Sequence, residues 1–171
     1  MLDFDLLTER LAVGGGIWTR ENFADLQRAG FTHIINVQSE FDDRALGGAD
    51  DPSTSLPSTG SGSSLRSDRA SHDPVVLDLG TDDDLQPKPA ELFFRGIRFA
   101  LEALAQPRAK VLVHCASGIH RGPMVALAIL RALGYARADA LRLLQARRPQ
   151  AEFPDVYLDS VEAFVAEWES R

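Results

Sequence analysis

The sequence predicts an α/β fold: a central, mainly parallel sheet flanked by helices. Two observations carry that prediction. Short β-branched or apolar runs alternate with longer stretches of helical periodicity along the chain. The segment Lys110 to His114 (KVLVH) also holds an unbroken apolar run, as expected of a strand covered on both faces. A length of 171 residues suits one domain with a full core and leaves no room for two.

The elements follow in order. Leu11 to Val13 reads as a short strand closed by Gly14-Gly15-Gly16. Thr19 caps a helix through Ala29, with Phe23 and Leu26 on one face and Gly30 at its end. Trp18, at the turn between them, reads as a core residue. Phe31 to Val37 (FTHIINV) is a buried strand. From Ser39 to Asp73 the character changes. Between Pro52 and Asp73, 14 of 22 residues are Ser, Thr, Gly or Pro, too few apolar groups to offset ordering entropy. The stretch at about 39–73 therefore reads as a Ser-rich mobile insertion inside one domain of residues 1–171. Val75 to Leu79 is the next strand, followed by the acidic turn Thr81-Asp82-Asp83-Asp84. A helix from about Pro89 to Leu104 presents Leu92, Phe93, Ile97, Ala100, Leu101 and Leu104 on one stripe. After the Lys110–His114 strand, Met124 to Leu133 forms a largely apolar helix stopped by Gly134. Ala138 to Arg148 and Asp155 to Glu169 supply two more helices.

Composition narrows the function classes. With 18 Lys and Arg against 25 Asp and Glu, the net charge of −7 argues against binding nucleic acid or an anionic membrane. One cysteine, Cys115, excludes an intrachain disulfide and a Cys-rich zinc cage. Asp3, Asp5, Glu9 and Arg10 interrupt any signal-peptide core, so the expected location is the cytoplasm. No cofactor or metal is called for, and the oligomeric state is not legible.

The chemistry concentrates in His114-Cys115-Ala116-Ser117-Gly118-Ile119-His120-Arg121-Gly122-Pro123, which follows a buried strand and opens a helix. Ligands bind at the carboxyl ends of strands in such sheets. A loop entering a helix N-terminus presents unpaired amides and the positive end of the macrodipole. Ala116, Ser117, Gly118, Ile119 and His120 are just enough to wrap a ring of amides around one tetrahedral anion, with Gly118 permitting a positive φ. A thiol facing such amides and a guanidinium is expected to drop from about 8.5 into the range of roughly 3.5–7.5, making Cys115 a nucleophile. Arg121 offers a rigid fork for two phosphoryl oxygens. His-Cys-x-x-Gly-x-x-Arg should arise by chance on the order of once in a thousand chains of this length, at about 5% per residue type.

The segment HCASGIHRGP resembles the active-site signature of the cysteine-dependent protein tyrosine phosphatases, His-Cys-x5-Arg, and most closely the compact dual-specificity branch. RLAVGG, FTHIINV, LDLGTDDD and KVLVHC occur in the order those phosphatases use, so the likeness spans nearly the whole chain outside the Ser-rich insertion. The resemblance implies a phosphatase-type domain and hydrolysis of phosphomonoesters through a cysteinyl-phosphate. Its partners would be a phosphorylated protein or a small phosphomonoester. The family places its general acid just after the preceding strand, where Asp82, Asp83 and Asp84 stand 33, 32 and 31 residues before Cys115. Asp83 fits the family spacing best, with Asp84 next. His114 would orient the loop through a hydrogen bond rather than act as a base, and His120 falls where the family varies. A bell-shaped pH–rate profile is expected, its acid limb from Cys115 and its basic limb from the aspartate.

One position departs from the pattern. Gly122 stands where the family usually has a Ser or Thr hydroxyl that assists turnover of the phosphoenzyme. That leaves slow turnover, or a phosphate-dependent binding module, as an alternative to efficient catalysis. Nucleotide, RNA or lipid phosphates remain alternative substrates, although the loop has no Lys of the kind that favours phosphoinositides. Asp78 in VVLDLGT bears only a faint likeness to the Asp-x-Asp nucleophile of magnesium-dependent phosphatases, because Gly80 replaces the second aspartate.

Overall fold

Among the described residues, five strands form one sheet in the order β1-β2-β5-β3-β4, where β1 is Phe4–Leu6, β2 Leu11–Gly14, β3 His33–Gln38, β4 Val75–Thr81 and β5 Val111–His114. β1 pairs antiparallel with β2, and every other pairing is parallel. The computed structural model describes residues 2–47 and 73–171. Five helices complete it: α1 Arg20–Arg28, α2 Ala90–Leu104, α3 Arg121–Ala132, α4 Arg137–Arg147 and α5 Asp155–Glu169. The α/β class and the mainly parallel sheet are as the sequence predicts. β1 is the element not anticipated, because three residues carry no readable period.

Alternation along the central strands sorts their side chains to two faces. Ala12, Ile34 and Leu112 point to the side where Phe23 and Leu26 of α1 cover them. Leu11, Val13, Ile35, Val37, Val111 and Val113 point to the other side, under α2, α3 and α5. Each buried Val, Leu, Ile or Phe side chain removed from water contributes about 1.5–3 kcal/mol. α3 lies at the centre of this larger layer, and every residue from Arg121 to Leu130 is buried. It can begin at Arg121 because Pro123 falls in its first turn, where an amide has no helical partner to lose.

The β2-to-β3 and β4-to-β5 connections cross on opposite faces, through α1 and α2 respectively. Gly14, His114 and Asn36 lie level across β2, β5 and β3. The loops that leave those ends, together with the turn after β4, therefore meet at one carboxyl edge, where open α/β sheets bind ligands.

Two expectations need correction. Trp18 is not a core residue: it is 49% exposed. Its indole folds back over Gly16 and tilts against Phe41 at 6.2 Å. Residues 39–47, read from sequence as the start of the insertion, are also held in place. Asn36 Nδ2 and Gln38 Nε2 both donate to the Phe41 carbonyl, at 2.7 and 3.3 Å, and Asp43–Ala45 forms a turn of 3-10 helix. Residues 39–47 are thus fixed to the sheet edge, while the rest of the predicted insertion, 48–72, lies outside the described residues.

Candidate active site

Cys115 directly follows β5 and is buried, as is Arg121 at the first position of α3. Four of the five residues between them, Ala116 to Ile119, are held from behind through their carbonyls. Gly16 N donates to Ala116 O at 3.0 Å and Glu152 N to Ile119 O at 2.9 Å. Arg148 supplies the other two, from Nη2 to Ser117 O at 3.3 Å and from Nε to Gly118 O at 2.6 Å. The amides of Ala116 to His120 donate to no other protein group among the described residues. A ring whose carbonyls are engaged behind and whose donors are unspent is a ready anion site.

Arg148 is wholly buried. It also binds Asp3 through both terminal nitrogens at 3.0 and 2.9 Å, and Asp5 at 2.9 Å, so β1 and the loop share one guanidinium. Burial opposes its charge, but the paired carboxylates outweigh that and raise its pKa. Gly118 sits against it at φ +65°. A Cβ there would lie 2.3 Å from Arg148 Nη2 and 2.6 Å from Gly14 O, so both backbone shape and space demand glycine. Gly122 is also a contact glycine: a Cβ would approach Cys115 N to 3.2 Å and the His114 carbonyl carbon to 3.3 Å. The missing hydroxyl at this position goes with close packing of α3 on the end of β5.

In front of the loop, Arg121 is aimed by Glu40. Nη1 and Nη2 each donate to a Glu40 oxygen at 2.8 Å, and Nη1 also donates to Thr81 O at 2.9 Å. Nε of Arg121 is buried with no partner. The Arg121 bond holds the Glu40 carboxyl down at about 2. Burial works against the Arg121 charge, yet Glu40, then Cys115 close by, raise its pKa on balance. Glu40 lies within the segment read from sequence as insertion, and it was missed. A signal for it existed: residues just past the end of β3 must abut the loop after β5, its parallel neighbour.

The three candidate aspartates separate cleanly. Asp82 Oδ1 accepts from Ser39 Oγ at 2.5 Å. Asp84 pairs with Lys88 Nζ at 2.5 Å, a bond that lowers its pKa and turns it from the loop. Asp83 is the one that reaches the loop. Its Oδ1 accepts from Tyr157 Oη at 2.9 Å, and its Oδ2 stands 3.0 Å from His120 Nδ1 and 3.9 Å from Arg121 Nε. Burial, then the bond to Asp83, pushes Tyr157 up to about 12. Tyr157 Oη also accepts from Leu85 N at 3.2 Å, and Leu85 holds a positive φ of 55° that a bulky residue rarely adopts. His114 behaves differently from expectation. Its Nε2 bonds Asp43 Oδ2, both groups fully buried, and its Nδ1 has no partner, so it ties the strand end to the 3-10 turn rather than bracing the loop directly. Asp78 caps Gly80 N at 3.0 Å and faces Arg44, away from this centre.

No protein-family model matches the chain, and no curated protein is significantly similar to it in sequence. Solved structures do match it. Human DUSP28 is 17% identical with a TM-score of 0.69, covering 97% of this chain and 95% of its own. PTPMT1 in complex with PI(5)P is 16% identical with a TM-score of 0.74, covering 98% and 97%. The human tyrosine phosphatase-like serine/threonine/tyrosine-interacting protein is 19% identical with a TM-score of 0.71, covering 98% and 99%. The chain therefore shares the fold of these structures, over nearly its whole length.

Proposed function

We propose that this protein hydrolyses phosphomonoesters, chiefly phosphotyrosine or phosphoserine/threonine on proteins, through a cysteinyl-phosphate on Cys115. The observation that carries the proposal is the division of the Cys115–Arg121 loop: its carbonyls are bonded behind, while five amides and Arg121 Nε stay unspent in front. Donors fixed before the substrate arrives stabilise charge without reorganising, which is where the largest part of such catalysis originates. In the first step the Cys115 thiolate forms an S–P bond, the ester P–O bond breaks, and the leaving oxygen takes a proton from Asp83. In the second, water adds to phosphorus, the S–P bond breaks with its electron pair returning to sulfur, and Asp83 receives the proton. Arg121, steadied by Glu40, holds the equatorial oxygens throughout.

A second reading has one observation in its favour. Gly122 offers no hydroxyl to the second step, and the tight contact it makes with Cys115 N leaves little space for one. Rapid-quench kinetics with p-nitrophenyl phosphate in the absence of metal separates the two. Hydrolysis predicts a burst followed by steady turnover, whereas a phosphate-dependent binder gives a single burst that stops. Cys115→Ser should abolish both phases, lowering kcat by about 10⁴-fold or more. Activity that survives Cys115→Ser would overturn the proposal.

A further inference from the structure

His120 stands between two carboxylates from two different loops. Its Nδ1 is 3.0 Å from Asp83 Oδ2, on the turn after β4, and its Nε2 is 3.3 Å from Glu152 Oε2, between α4 and α5. A carboxylate only accepts, so a ring bonded to one at each nitrogen carries a hydrogen on both and is an imidazolium. Burial disfavours that charge, but the hydrogen bonds to Asp83 and Glu152 outweigh it and raise His120 above its ordinary value. The other charged or titratable groups facing this pair are Arg121, with Nε 3.9 Å from Asp83 Oδ2, and Tyr157, bonded to Asp83 Oδ1. Glu40 reaches the cluster only through Arg121.

Asp83 must hold a proton to protonate a leaving group, yet both its oxygens accept hydrogen bonds. Two donors touch it through hydrogen bonds. Tyr157, pushed up to about 12, keeps its proton. His120 is the group that can release one. We infer that His120 and Asp83 share one transferable proton, stored on His120 Nδ1 and delivered to the leaving oxygen through Asp83. This rests on the hydrolytic reading above. As the P–O bond breaks, its electron pair stays on the leaving oxygen, which takes a proton from Asp83 while His120 Nδ1–H replaces it. During hydrolysis of the cysteinyl-phosphate the water proton passes to Asp83 and back to His120, restoring the imidazolium. The His120 imidazole touches no reacting atom in this scheme, and its side chain is a positioning group for both the carboxylate and its proton.

The experiment is kcat against pH for the wild type, His120→Asn and Glu152→Gln, on phenyl phosphate and p-nitrophenyl phosphate. Asn keeps an amide donor near the Nδ1 position but cannot store a proton. With phenyl phosphate, whose leaving oxygen needs protonation, His120→Asn should move the basic limb down by about one to two pH units. Activity at pH 7 then falls about 10–100-fold, and the loss shrinks as the pH is lowered. The loss should be smaller on p-nitrophenyl phosphate, which leaves without a proton. Glu152→Gln should move the same limb down by less than about one unit, because only one of two supporting carboxylates is removed. An unmoved limb in both variants, or an equal loss at every pH and on both esters, overturns the shared proton. If His120→Asn fails to fold, the Glu152→Gln limb decides alone. A wild type that releases no product from either ester overturns the hydrolytic reading instead, a result distinct from either outcome above.

Discussion

The back and the front of the Cys115–Arg121 loop are built on opposite plans. Behind it, the four carbonyls from Ala116 to Ile119 are satisfied, two of them by a single sealed guanidinium, Arg148. In front, the donors are left open, and the groups beside them, Glu40 and Asp83 from neighbouring turns and His120 of the loop itself, have partly exposed side chains. The difference shows where the work of shaping the site is done. A flexible ring of amides would turn outward to water or collapse on its own carbonyls. Tying the carbonyls away during folding removes that choice, so the front donors can wait for an anion. The back fixes geometry, and the front sets charge and proton supply.

Breaking the back should therefore have the largest effect, and it should cost stability and activity together. Arg148→Met leaves Ser117 O and Gly118 O without their donor, at about 1–3 kcal/mol for each group that stays dry. The carboxylates it abandons recover water, since the Asp3 and Asp5 side chains are 56% and 38% exposed. The penalty then stays below that of a fully sealed pair. Urea unfolding should register a loss of about 2–4 kcal/mol, and kcat/KM should fall by about 100-fold or more. Loss of stability with activity intact would show that the front does not depend on the back.

Gly118→Ala tests the same dependence with less disruption. A positive φ costs an alanine about 1–2 kcal/mol, and the new methyl must displace the Arg148 side chain and the fixed Gly14 carbonyl. The Arg148 tip is pinned by its hydrogen bonds to the loop and to Asp3 and Asp5, and the Gly14 carbonyl is backbone, so neither yields freely. The expected loss is about 1–3 kcal/mol in thermal or urea unfolding, with kcat/KM down about tenfold. An alanine variant as stable and active as the wild type would mean that the loop has another shape available.

The same division explains what could be read in the sequence. Cys115, Gly118 and Arg121 lie within seven consecutive residues, and local chain geometry alone brings them together. Asp83 was legible through its spacing, although choosing it over Asp82 and Asp84 needed Ser39 and Lys88, the partners that hold the other two. Arg148 and Glu40 were not legible as site residues. Arg148 caps the end of α4, a helix of low amphipathicity, and nothing in RRPQ indicates which arginine turns inward. Its role depends on β1, an element too short to anticipate. Glu40 was hidden by the polar composition that follows it, yet Asn36 and Gln38 at the end of β3 anchor its turn through the Phe41 carbonyl. Trp18 was misplaced for a related reason: size and apolarity suggested the core, but its indole stays at the surface over Gly16 and against Phe41. Side chains working within a turn of their neighbours can be found from sequence, while those reaching across the sheet edge need the register of β2, β5 and β3.

The smallest effect should come from removing one tie at the front. Glu40→Gln keeps the shape of the side chain but ends the two-pronged ion pair with Arg121. The side chain of Glu40 is 49% exposed, so solvent already screens the pair, and unfolding at neutral pH should change by less than about 1 kcal/mol. The sign of its pH dependence is fixed. Arg121 depresses the folded-state carboxyl from 4.5 to about 2, so the pair's contribution is fully present above about pH 4.5. It fades as the pH falls toward 2, and the stability gap between wild type and Glu40→Gln should close over that window. Catalysis should respond more than stability. An Arg121 that has lost its aim still bonds Thr81 O, but meets the phosphate less squarely, for a loss of about three- to tenfold in kcat/KM at pH 7. A loss as large as that of Arg148→Met would contradict the division, because it would mean that the front, too, holds the loop in shape.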